Sequence, residues 1–77
     1  MLVGNMHSLI IDLKISANEF VKQYQFPGAV VVTQSRDYRR VQFPANILQR
    51  FITHEGVSGS FRIEFDNAGK FKNIERL

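Results

Sequence analysis

Residues 44–71, PANILQRFITHEGVSGSFRIEFDNAGKF, constrain this chain more than any other stretch. Asp66-Asn67-Ala68-Gly69-Lys70 suits a type I turn followed by a glycine in the left-handed region, the commonest three-residue hairpin loop. A hairpin closed there sets Asp66 opposite Lys70, Phe65 opposite Phe71 and Glu64 opposite Lys72. Two opposite-charge pairs then flank an aromatic pair, each favourable by about 0.2–1 kcal/mol. Phe71 and Ile74 are three apart and cannot share a strand face, so a bulge is expected near Lys72-Asn73. Past it, Ile63 faces Ile74 and Arg62 faces Glu75. Upstream, Pro44 fits the first position of a helix. Ile47, Leu48, Phe51 and Ile52 form its apolar stripe, and Gly56 is the expected left-handed residue at its end.

The N-terminal half is read the same way. Leu9, Ile11, Leu13 and Ile15 alternate with polar residues from Asp12 on, the pattern of a half-buried strand. Ser16 followed by Glu19 three residues later is a capping box, and Ile15 with Phe20 forms a hydrophobic staple across it. Ala17, Phe20, Val21 and Tyr24 lie on one helical face, and Pro27-Gly28 stops that helix. Residues 29–33 and 38–43 form a hairpin turning near Arg36-Asp37. With Ser35 facing Tyr38, Val32 faces Val41 and Val30 faces Phe43, which turns these apolar residues to one side. The order is β-α-β-β-α-β-β, an α+β fold with an antiparallel or mixed sheet and two short helices on one face.

The 77 residues make one domain, expected over residues 7–77 with a flexible segment at 1–6. Hydrophobic residues are 44 % of the chain and seven are phenylalanines, which argues against disorder. A domain of this size buries only about 60–65 % of its unfolded surface. With no cysteine to cross-link it, oligomerisation is the expected reinforcement. Absence of cysteine fits a reducing compartment. No segment approaches the ~20 apolar residues of a membrane span and the N-terminus lacks the pattern of a signal peptide, so a cytoplasmic protein with no membrane partner is expected.

The run from Tyr38 to Arg76 resembles a small bacterial family known as domain of unknown function 2835. The residues that carry the resemblance are Val41-Gln42-Phe43-Pro44-Ala45, Leu48, Phe51-Ile52-Thr53, Gly56, Gly59, Phe61-Arg62, Phe65-Asp66 and Lys70-Phe71. Leu9-Ile10-Ile11-Asp12 and Tyr24 fit as well. That family tends to carry Asp-Gly in the first hairpin turn, where this chain has Asp37-Tyr38. The resemblance implies a bacterial, stand-alone, cytoplasmic protein and no particular activity.

No catalytic constellation emerges, and no enzyme is expected. The chain has no cysteine, no Gly-x-Ser-x-Gly and no phosphate loop, since Gly56-Val57-Ser58-Gly59 leads into a strand. His54 reads as a cation at a helix C-terminus. Neither a metal nor another cofactor is expected, because His7 and His54 alone supply imidazole and lie far apart. Arg36, Arg39 and Arg40 around the first hairpin turn are the one candidate contact for an anion or nucleic acid, and the net charge of +3 permits it. The aromatics Phe43, Phe61, Phe65 and Phe71 point to the covered side, which argues against base stacking on an open sheet. Ile10 and Val31 stand out on the expected open face as candidates for a dimer contact. The leading expectation is a non-enzymatic protein-interaction module that self-associates or binds another protein. The alternative is a basic nucleic-acid-associated protein working through the three arginines.

Removing the cap that starts the first helix, Ser16→Ala, is expected to cost ~0.5–2 kcal/mol. Urea denaturation measures this; an unchanged midpoint at constant slope would refute the cap.

Overall fold

The structure is a computed structural model that describes residues 7–77; the expectation for residues 1–6 lies outside the described residues. The elements are β1 (His7–Ser16), α1 (Ala17–Tyr24), β2 (Val30–Gln34), β3 (Arg40–Pro44), a 3₁₀ helix (Ala45–Phe51), β4 (Gly56–Phe65) and β5 (Phe71–Arg76). The fold is α+β and mostly strand. The strands form two antiparallel sheets rather than one: a three-stranded sheet in the order β1-β4-β5, and the β2-β3 hairpin. β1 meets the hairpin just past the end of β2, at the bridge between Ile11 and Ser35. Both sheets turn their inner faces to a single core. Ile11, Leu13 and Ile15 of β1 join Val57, Phe61 and Ile63 of β4, Ile74 of β5, Val31, Val41 and Phe43 of the hairpin, and Phe20 of α1.

The start of α1 follows the expected chemistry. The Ser16 hydroxyl accepts the Glu19 N–H at 3.1 Å, and Phe20 is buried with Tyr24 tilted against it at 5.7 Å. Val21, expected on the same stripe, is exposed, because an eight-residue helix has only a narrow line of contact with β1 and β4. The second helix differs in kind. Its apolar residues Ala45, Leu48 and Phe51 recur every three positions, and Ala45 and Leu48 are fully buried. That period matches the three residues per turn of a 3₁₀ helix. Pro44 ends β3 and stands at the cap in extended conformation, not at the first helical position. The helix is over at Phe51, and Thr53 and Gly56 exchange backbone hydrogen bonds at 2.9 Å around His54-Glu55. His54 therefore lies in an exposed turn beyond the helix instead of capping it.

Gly56 opens β4 at φ +107°, where a Cβ would lie 2.0 Å from the Ile15 carbonyl oxygen and 2.6 Å from the Ala17 nitrogen. The strand-to-helix corner at Ser16 thus sits directly against β4, and no side chain fits between them.

The two hairpins share one geometry. At the C-terminal hairpin, Gly69 N–H bonds Asp66 O at 2.9 Å, Asp66 N–H bonds Lys70 O at 2.8 Å, and Gly69 has φ +84°. Phe65 faces Phe71, Ile63 faces Ile74 and Arg62 faces Glu75, as the sequence implies. The bulge falls at Lys72, so Glu64 faces Asn73 rather than Lys72. Lys72 reaches Asp66 instead, at 3.9 Å. At the first hairpin, Tyr38 N–H bonds Ser35 O and Ser35 N–H bonds Arg39 O, both at 2.9 Å, and Tyr38 has φ +68°. Tyr38 occupies the position that glycine holds in the other turn. The loop is therefore Arg36-Asp37-Tyr38, one residue longer than expected. Val31 faces Phe43 and Thr33 faces Val41. A one-residue change of register exchanges the faces of a strand, so Val31 is 2 % exposed while Val30 and Val32 point outward.

Gly56 and Tyr38, both at positive φ, should respond oppositely to substitution. Gly56→Ala is expected to cost at least ~2 kcal/mol through strain and displacement of Ile15. Tyr38→Gly should gain up to ~1 kcal/mol, the relieved strain outweighing the added freedom of the unfolded chain. Chemical denaturation of both variants is the check, and a tolerated Gly56→Ala would contradict the corner packing.

Candidate protein-interaction surface

Two of the three arginines singled out in the sequence are engaged by carboxylates. Arg36 leaves the hairpin and reaches β1, where its Nε and Nη2 donate to the two oxygens of Asp12 at 2.9 and 2.8 Å. Nη2 also donates to Ser60 Oγ at 3.0 Å, and the Ser60 hydroxyl donates to Asp12 at 2.5 Å. The Arg36 backbone N–H bonds the Ile10 carbonyl at 2.9 Å. Side chain and main chain together stitch the end of β2 to β1. Both charged partners are more than half exposed, so the pair contributes orientation more than stability. Arg39 lies 3.1 Å from Asp37, and the buried Ser35 donates its hydroxyl to the same carboxylate and accepts the Arg39 N–H. Arg40 leaves β3 beside Gln34, and no acidic partner reaches it among the described residues.

These contacts set the carboxylate electrostatics. The hydrogen bond from Arg36, then that from Ser60, holds Asp12 well below the usual carboxylate range, and Arg36 is raised in return. Asp37 is lowered, first by the Ser35 hydroxyl and then by the charge of Arg39. Asp66 is lowered by the backbone N–H groups of Lys70 and Ala68.

The two residues expected to seed self-association separate. Val31 is in the core, a correction that follows from the hairpin register. Ile10 lies half-buried on the outer side of the three-stranded sheet, opposite Arg62. Its surroundings are polar and mutually engaged: Arg62 pairs with Glu75, and Asp12 with Arg36 and Ser60.

The apolar surface is elsewhere. The outer face of the β2-β3 hairpin carries Val30, Val32 and Gln34 opposite Pro44, Gln42 and Arg40. Val30 is 42 % exposed and Val32 50 %. Phe26, 57 % exposed, adjoins Val30 and Pro44 around a shallow cleft of about 400 Å³ that Tyr24 and Gln49 also line. The face runs from an apolar end at Phe26, Val30 and Pro44 to a polar end at Gln34 and Arg40. Sequence reasoning put Val30 and Val32 inside, and the one signal against that was the Asp-Gly that the resembled family carries where this chain has Asp37-Tyr38, a position the structure holds at positive φ. Tyr38 itself is 80 % exposed at the hairpin tip.

A small α+β domain with a closed core, one self-paired polar face and one unpartnered apolar face is the class of protein defined here. The chain belongs to the family described as Protein of unknown function (DUF2835), which it matches over residues 7–77. Comparison with curated proteins and with solved structures finds no match. No helix among the described residues is long and apolar enough to cross a membrane.

The lowered carboxylates make stability depend on acid. Each is lowered by folding from an ordinary value of 3.8, so the unfolded chain takes up protons first. The stability they contribute is complete above that value and is lost as pH falls through the folded-state values. Asp12→Asn is expected to flatten the decline of stability from about pH 4 downward. Urea midpoints measured against pH test this; a slope equal to that of the parent chain would remove Asp12 from the account.

Proposed function

We propose that this chain is a non-enzymatic protein-interaction module that self-associates. The observation that carries the reading is the exposed apolar end of the β2-β3 outer face, formed by Phe26, Val30 and Val32 with Pro44. A contiguous apolar patch with a polar rim marks a site of protein contact, unlike apolar residues exposed singly. The small core adds a physical motive, since burial between copies supplies what a 77-residue chain cannot bury alone. A cytoplasmic setting fits the absence of cysteine.

A second reading has one observation in its favour. Tyr38 is held at positive φ, 80 % exposed, next to Arg39 and Arg40. An exposed aromatic beside cations suits stacking on a base with contacts to phosphate. Against it, Arg36 and Arg39 are already engaged by Asp12 and Asp37.

Sedimentation over low to high micromolar concentration, together with titration of fluorescent single-stranded DNA and RNA at several salt concentrations, separates the readings. A concentration-dependent dimer with weak nucleic-acid binding is the expected result. A monomer throughout that binds nucleic acid tightly, with affinity falling steeply in salt, would overturn it in favour of the Tyr38 tip.

A further inference from the structure

We infer that the groove between the 3₁₀ helix and β5 is a binding site for an acidic, partly apolar segment of another protein. It lies apart from the Phe26, Val30 and Val32 surface and goes beyond the self-associating reading.

Charge is spread unevenly around this groove. It encloses about 350 Å³, with Arg50 contributed by the helix, Lys72 by β5, and a floor of Ile47, Phe71 and Ile74. The remaining lining side chains are amides, and none is an acid. Arg50 is held in place. Its Nη2 donates to the Ile74 carbonyl, and its guanidinium carbon lies 4.8 Å from the centre of the Phe51 ring. A guanidinium has five N–H donors, so these two contacts fix its direction and leave most of the donors to a ligand. No acidic side chain pairs with it among the described residues, and residues 1–6 contain no acid. Lys72 has Asp66 at 3.9 Å. That carboxylate already accepts the N–H groups of Ala68 and Lys70, both at 2.9 Å. The groove therefore presents more positive charge than the chain itself neutralises.

The form of the groove selects among anions. It is open along its length, whereas a site for a small molecule encloses most of its ligand. Its floor is aliphatic except for Phe71, which is half-buried between Ile47 and Ile74. Stacking of a nucleic-acid base needs an exposed ring, while an aliphatic side chain needs only such a floor. An extended peptide fits, and it must be read by its side chains. Arg50 occupies the Ile74 carbonyl and a bulge falls at Lys72, so an added strand would find no regular row of backbone partners on β5. A carboxylate meeting Arg50 takes two parallel hydrogen bonds, which fixes its direction as well as its charge. A second copy is a poor source of that carboxylate. The chain carries a net charge of +3, and Asp12, Asp37, Asp66 and Glu75 are engaged within it.

NMR of the isotopically labelled chain tests the site. The probe is a short synthetic peptide carrying glutamate and leucine on a glycine-serine background. Resonances of Ile47, Arg50, Lys72 and Ile74 are expected to shift during the titration, and those of Val30 and Val32 to stay. Glutamine in place of glutamate in the peptide should weaken binding ~10-fold, and so should Arg50→Gln, which keeps a donor for the Ile74 carbonyl. Lys72→Gln, at an exposed site, should weaken it ~3-fold. Should Arg50→Gln fail to fold by circular dichroism, Lys72→Glu carries the test, with a loss of ~10-fold expected from the reversed charge. Equal binding of the glutamine peptide, unchanged affinity in Lys72→Glu, shifts confined to the cleft at Phe26, or no shift at millimolar peptide would each overturn the site. Inorganic phosphate or single-stranded DNA that binds this groove more tightly than the peptide would overturn its assignment to a protein. All of these outcomes leave self-association standing, since sedimentation of the parent chain reads that separately.

Discussion

β1 and β4 run antiparallel over ten residue pairs, from His7 with Phe65 to Ser16 with Gly56, and the other elements take their places from that ladder. Alternation along it turns Ile11, Leu13 and Ile15 inward together with Val57, Phe61 and Ile63. The far end of the ladder cannot slide, because Gly56 lies against the Ile15 carbonyl with no room for a Cβ. Since Ser16 is at once the last residue of β1 and the cap of α1, the same contact aims the helix. β5 then adds to the other edge of β4, and the hairpin is fastened to the free side of β1 by Arg36.

That last fastening accounts for the fate of the basic cluster. An arginine at a hairpin tip is ordinarily free to meet a phosphate. Here the Arg36 side chain is spent on Asp12 and Ser60, and its backbone on Ile10. Asp12 and Ser60 lie 24 residues away, one in either direction, so nothing local in the sequence announces the contact. Asp12 reads in isolation as the polar half of an alternating strand, which it also is.

What was legible depended on whether a local signal had one structural meaning. Ser16 with Glu19 and Asp66 with Gly69 each have one: the cap on the Glu19 N–H and the turn at Gly69 are found as read. The second helix was found in place but not in type, because Ile47, Leu48, Phe51 and Ile52 satisfy a 3.6-residue period while Ala45, Leu48 and Phe51 satisfy a period of three, and burial favours the latter. The hairpins are the sharpest comparison. Their hydrogen bonds are the same, with Ser35 in the part of Asp66 and Tyr38 in that of Gly69. Glycine announces a left-handed residue and tyrosine does not. One hairpin was therefore placed correctly near its turn and the other by one residue wrong, and with it the apolar surface.

The register of the first hairpin buries Val31 and leaves Val30 and Val32 outside. Shifted by one residue, the strand would turn Val30, Val32 and Gln34 inward in place of Ala29, Val31 and Thr33, and the two-residue turn would leave Tyr38 in the strand. Full burial of a valine contributes about 1.5–3 kcal/mol, and the left-handed tyrosine costs ~1–2 kcal/mol. The observed register must be held by interactions the other lacks. The structure offers three: the Ile11-Ser35 bridge, the Arg36 N–H on Ile10, and the Arg36-Asp12 pair, all of which need Ser35 and Arg36 beside β1. Contact with β1 therefore decides the register, and the register in turn decides which valines face out. The exposure of Val30 and Val32 is thus set by the same contact with β1 that engages Arg36 with Asp12 and Ile10.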